Sequence, residues 1–150
     1  MEGFFNFVQL NKNIRYTLSK KERLTSRKAI GHLFEKGLSF SLFPFRVTYI
    51  VHPIPDAKDA TLLLQAGFSV GKKHFKKAVD RNRIKRLMKE AYRLQKNNLH
   101  QSVMQQPIQL QFFLMYTGNE LPEYDLVTQK MTAILKRLDK IIHQPLPIHA

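Results

Sequence analysis

Eleven of the chain's 25 Lys and Arg residues fall between Lys72 and Lys96, in KKHFKKAVDRNRIKRLMKEAYRLQK, against only two acids, Asp80 and Glu90. The chemistry this offers is anion binding. Arginine presents a planar fork that matches a phosphate bidentately, and lysine adds a mobile point charge. Apolar residues interleave at helical spacing, so the segment reads as a folded basic helix over about 80–97, with Asp80 as its N-cap. On a helical wheel Ile84, Leu87, Met88, Ala91 and Leu94 share the stripe expected to be buried. Asn82, Lys85, Lys89, Arg93 and Lys96 fall opposite, with Arg81 and Arg86 at the margins. Basic residues on successive turns rise by about 5–6 Å, comparable with phosphate spacing along a strand. Arg81 and Asn82 also stand near the helix start, where free N–H groups and the macrodipole favour an anion. Lys72, Lys73, Lys76 and Lys77 extend the charge upstream. A helix that serves only solubility mixes its signs, and this one barely does.

The whole chain of 150 residues carries a formal charge of +14 and a pI of about 10.2, which suits a polyanionic partner. It has no cysteine, so disulfide partners, thiol catalysis and Cys-based zinc sites are excluded. Its eleven acids are scattered without metal-ligand spacing, and His74 and His100 read as surface residues, so no catalytic or metal constellation is expected. No apolar run approaches the length of a membrane span. The first residues, MEGFFNFVQLNKN, begin with an acid and lack the positive leading region of a signal peptide. No membrane association and a cytoplasmic location are expected.

The elements that must position the basic helix follow from pattern. The predicted organisation is an arm over 1–17, one domain over 18–142 and a tail over 143–150. A first helix is predicted over about 25–36, with Ile30, Leu33 and Phe34 as its stripe and Gly37 as a left-handed stop. Residues 40–51 are β-rich, with Pro44 marking an edge or bulge, and from Arg46 the alternation predicts one buried and one partly open face. Pro53, Pro55, Asp56 and Asp59 predict a loop before a strand over 61–70. A central strand over 108–116 and a last helix over about 123–142 complete the chain. The order α-β-β(-β)-α-β-α predicts an α+β fold, a two-layer α/β sandwich with one sheet face only partly covered.

The string Phe68-Ser69-Val70-Gly71-Lys72-Lys73, followed by Ala78-Val79-Asp80-Arg81-Asn82-Arg83-Ile84-Lys85-Arg86, resembles the protein component of bacterial ribonuclease P. Arg23-Leu24, Leu33-Phe34-Glu35-Lys36-Gly37 and the Phe45-to-Tyr49 strand match the family in order, so the resemblance covers about 20–140. It implies a ribosomal-protein-like fold with a left-handed βαβ crossover, against the general right-handed preference. It also implies a protein that binds the catalytic RNA of ribonuclease P and assists endonucleolytic removal of the 5′ leader of precursor tRNA. The RNA performs hydrolysis with Mg²⁺, and the protein supplies no catalytic side chain. Lys72, Lys73, Lys76, Lys77, Arg81, Asn82, Arg83, Lys85, Arg86 and Lys89 would contact the catalytic RNA. Ile30, Phe34, Val47 and Tyr49 would line a cleft for the single-stranded leader, where aromatic faces stack on bases without demanding a sequence. Core packing is the competing role for Phe34, Val47 and Tyr49. Three features depart from the family: Ile30 where an aromatic is common, Gly71 for the commoner Ser, and the long N-terminal arm. A ribosomal-type or RNA-chaperone protein without a catalytic partner is the alternative; it needs the basic helix but no aromatic cleft.

Overall fold

The computed structural model describes residues 18–53 and 63–144. The arm over 1–17, the loop containing Pro55, Asp56 and Asp59, and the tail beyond Gln144 lie outside them. A short 3₁₀ turn, Lys20–Glu22, precedes helix α1, Arg27–Lys36. Strands β1, Leu38–Leu42, and β2, Phe45–Pro53, follow as a hairpin, then β3, Leu64–Val70. The long helix α2, Ala78–Met104, leads to strand β4, Ile108–Tyr116, and helix α3, Tyr124–His143, closes the order.

The four strands form one mixed sheet in the order β1-β2-β4-β3. β2 is antiparallel to both β1 and β4, whereas β3 runs parallel to β4, with α2 as the crossover between them. As expected from its apolar run, β4 is central. Pro44 sits in the hairpin turn after a cis Phe43–Pro44 bond, where it costs the sheet no ladder hydrogen bond. The outer edge of β3 is partly closed: Leu24 N–H donates to the Ala66 carbonyl at 2.9 Å, beside a parallel bridge between Arg23 and Ala66.

Strand parity sends side chains to two different layers. Val47, Tyr49, Val51, Phe112, Leu114 and Ala66 join the main core with Ile84, Met88 and Ala91 of α2 and Met131, Ile134 and Leu138 of α3. Leu24, Leu33 and Ile50 make a smaller cluster with Ala29, Ile30 and Phe113 on the other face, under α1. One ten-residue helix cannot cover a four-stranded sheet, so the second face stays partly open, as the element order predicted.

Two local expectations are corrected. Gly37 ends α1 with φ −76°, in extended backbone rather than a left-handed turn. Glycine is needed there for space, since a Cβ would lie 2.8 Å from the Tyr49 carbonyl oxygen. The basic helix starts at Ala78 and runs to Met104, with Lys77 as N-cap and Asp80 inside its first turn, where its charge still complements the dipole.

Candidate nucleic-acid interface

The chain between β3 and α2 carries Lys72, Lys73, Lys76 and Lys77, all exposed. Arg81 shapes this connection. Its Nη1 donates to the Phe75 carbonyl at 2.7 Å and to the Lys76 carbonyl at 2.8 Å, while the Phe75 ring is buried near Tyr116. Arg81 is therefore half-buried and turned back onto the backbone, whereas Asn82, Arg83 and Arg86 are exposed and Lys85 and Lys89 half-buried. Ile84 and Met88 anchor this part of the helix in the core.

Farther along, the wheel misassigns two residues. Leu94 is exposed, and Lys96, expected on the open face, is 2% exposed and paired with Glu22 at 2.6 Å. The buried stripe turns along this long helix, from Ile84 and Met88 to Tyr92, Lys96, Leu99 and Val103, as packing passes from sheet to α3. A wheel centred on Ile84 cannot follow that drift. The Glu22 carboxylate also accepts the Ser19 backbone N–H at 2.7 Å. Burial alone would raise its pKa, but the hydrogen bonds from Lys96 and Ser19 and the Lys96 charge hold it below the usual carboxylate range. This pair pins the N-terminal segment against α2.

The pin brings Leu18 and Arg23 beside the helix. Between them and α2 lies a groove of about 860 Å³, floored by Leu18 and Leu87 and flanked by Arg23, Arg83, Arg86 and Lys89. Among the described residues its one acid is Glu90, which is bonded to Arg93 at 2.6 Å, and that hydrogen bond lowers its pKa. Arg93, expected on the charged stripe with Lys89, lines the groove beside it, and Arg23 joins the site here, where the sequence alone assigned it no surface shared with α2. The clue was the charge of the segment around Arg23, without any sign that it docks on α2.

The expected cleft residues do not come together. Ile30 and Phe34 project from α1 toward one face of the sheet, whereas Val47 and Tyr49 lie on the other, in the main core beneath α2 and α3. Val47 is fully buried, and Tyr49 packs beside Phe40. The alternation from Arg46 marked these as the buried face, and a cleft beside α1 requires the opposite parity. What faces α1 is Arg46, Thr48, Ile50 and His52 of β2, with Phe113 and Met115 of β4. Phe34, 47% exposed, meets Phe113 edge-on with ring centroids 5.2 Å apart. Phe113 was legible by parity, since it shares a face with Gln109 and Gln111 while Phe112 turns into the core. Gly67 opens the room for it: a Cβ there would lie 2.6 Å from the Phe113 ring. Next to this pair a polar chain crosses the sheet, His52 to Gln111, Gln111 to Gln65 at 2.8 Å, and Gln65 to the Lys21 carbonyl at 3.0 Å.

Among the described residues no three His, Asp or Glu side chains gather where they could hold a metal ion. No described helix is long and apolar enough to cross a membrane. A basic helix and an arginine-lined groove on one side of an α+β sheet, and a half-exposed aromatic pair under a short helix on the other, define an RNA-binding protein.

Residues 18–139 match the Ribonuclease P family. The ribonuclease P protein component of Porphyromonas gingivalis is 37% identical over 123 residues, covering 82% of this chain and 87% of that protein. That of Chlorobium phaeobacteroides is 31% identical over 129 residues, covering 81% and 88%. The solved ribonuclease P protein of Thermotoga maritima has the same fold, with a TM-score of 0.57 at 23% identity over 77% of this chain and 96% of that one. The Staphylococcus aureus protein gives 0.57 at 20% identity, covering 78% and 94%. The chain belongs to the bacterial ribonuclease P protein family. It is the protein subunit of a ribonucleoprotein that processes the 5′ end of tRNA, in which the RNA carries catalysis, and the stand-alone RNA-chaperone reading is not favoured.

Proposed function

We propose that the two sides of the protein divide the ribonucleoprotein's RNA between them. The α2 side holds the catalytic RNA of ribonuclease P. Lys72, Lys73, Lys76, Lys77, Asn82, Arg83, Lys85, Arg86 and Lys89 meet its phosphates, with Arg23 on the far wall of the groove. Arg81 acts mainly by positioning, because its guanidinium sets the backbone that carries Lys76 and Lys77. Mg²⁺ is held by RNA phosphates, and the assembly works in the cytoplasm.

The α1 side holds the single-stranded 5′ leader of precursor tRNA. The observation that carries this reading is the half-exposed Phe34 ring against Phe113, with Ile30 beside them and Arg46 exposed on the same sheet face. An aromatic pair accepts any base by stacking, and a nearby cation accepts the backbone, which suits a leader of variable sequence. Val47 and Tyr49 take no part in this cleft. The test is equilibrium binding of leader-bearing and leaderless tRNA to the reconstituted holoenzyme. Wild type should prefer the leader-bearing form, and Phe34→Ala should erase much of that preference without weakening catalytic-RNA binding. An undiminished preference in Phe34→Ala together with Phe113→Leu would remove the cleft from the mechanism.

A further inference from the structure

Tyr49, absent from the cleft, lines a different recess. Where β1 meets the C-terminal half of α3 there is a pocket of about 500 Å³, floored by Phe40 and Tyr49 and rimmed by Lys136, Arg137 and Lys140. It lies at the β1 edge of the sheet, whereas α2 packs on β3 and β4 at the other edge. Across the four strands that is roughly 14 Å of sheet.

The three cations stand on one helix, with Lys136 and Lys140 one turn apart on the same face. Among the described residues none of the three forms an ion pair. The one acid between them, Asp139, lies beside His143 instead, with Oδ1 3.7 Å from Nδ1. The Arg137 guanidinium lies over the Phe40 ring, 4.3 Å from its centroid. A guanidinium over an aromatic face is attracted to the ring by its charge and is suited to donate N–H groups to a planar or phosphate acceptor. Burial raises the Tyr49 phenol's pKa while the charge of Arg137 opposes the rise, consistent with the guanidinium lying close by.

We propose that this pocket is a second RNA-binding site, on the edge of the sheet opposite the α2 face, taking backbone phosphate on Lys136 and Lys140 and a nucleotide against the Arg137–Phe40 stack. Unpaired cations over an aromatic floor are the composition of a single-strand or loop site. An acidic peptide would find the charges but no use for that floor. The inference rests on the reading of this chain as an RNA-bound subunit, and it makes the protein a clamp gripping RNA at both edges of its sheet.

The experiment uses the full chain and the catalytic RNA transcribed from the same genome, with affinity measured across a salt series. Lys136→Ala/Lys140→Ala should make the log–log slope shallower by about 1.4–1.8 and weaken binding roughly tenfold near 0.1 M salt. Lys136→Arg/Lys140→Arg should retain the wild-type slope. Thermal melting checks that the exposed substitutions leave the fold intact. Arg83→Ala/Arg86→Ala serves as the reference. If the reference loses slope and Lys136→Ala/Lys140→Ala does not, with precursor tRNA either absent or present, the pocket is no RNA site and the inference falls alone. If neither loses slope, the RNA-binding reading of the α2 face falls with it. A loss with catalytic RNA alone assigns the pocket to that RNA; a loss only when precursor tRNA is added assigns it to the substrate. Both of those outcomes support the site.

Discussion

The two faces of the sheet solve different problems. Beneath α2 and α3 the strands send in Val47, Phe112, Leu114 and Ala66, and the layer is closed and dry. Beneath α1 the same strands present Thr48, His52, Gln111 and Phe113, and a chain of amides replaces continuous hydrocarbon. A residue and its neighbour in sequence thus enter different layers, as Phe112 and Phe113 show. The comparison teaches that in a sheet protein a binding residue is identified by parity before residue type.

The comparison breaks if the dry face tolerates what the wet face does. Glu22→Ala, which would leave the Lys96 ammonium buried without its partner, should cost about 3 kcal/mol in denaturant unfolding. A loss under about 1 kcal/mol would mean that Leu18, Leu24 and the Gln65–Lys21 hydrogen bond hold the N-terminal segment without help from the ion pair. Val47→Ala should cost about 2 kcal/mol of stability and leave leader preference unchanged. Phe34→Ala should do the reverse, costing under about 1 kcal/mol of stability but about 1–2 kcal/mol of leader preference. Equal effects of these last two on leader binding would erase the distinction between the faces.

Within α2 the same contrast can be sharpened. Arg83→Ala should reduce the salt slope for catalytic-RNA binding by about 0.7–0.9 with an unchanged melting temperature. Arg81→Ala should instead lower stability by about 1–2 kcal/mol, because two backbone carbonyls lose their donor. The smallest effect concerns pH. The folded-state pKa of Glu22 is depressed, so the stability it contributes is complete above the carboxylate's unfolded value, near 4.5, and fades as pH falls through the lower folded value. Stability measured from pH 6 down to pH 3 should decline less steeply in Glu22→Gln than in wild type.

The basic helix was legible because its chemistry is linear: eleven cations in one segment declare a charged face whatever surrounds them. The strands, their order and the apolar stripe of α3 were legible for the same reason, each being a period along one element. The cleft was not, because it is assembled from α1, β2 and β4, and only their pairing decides which side of β2 meets α1. Lys96 was hidden by a related cause. Its burial depends on Glu22, 74 positions away in sequence, arriving to neutralise it. Arg81 looked like its neighbours on the wheel, and only the path of residues 71–77 turns it inward.

Gly67 inverts the usual logic of side-chain deletion. An alanine scan finds functional residues by taking atoms away, and at Phe34 or Arg83 it would register what the side chain does. At Gly67 alanine is an addition: its methyl would enter space held by the Phe113 ring, with the Leu24 carbonyl 3.3 Å away on the far side. The depth of the proposed leader cleft is therefore set by main chain at this position. A survey that deletes side chains passes over that position, and the one atom whose arrival would close the cleft is the atom such a survey leaves in place everywhere else.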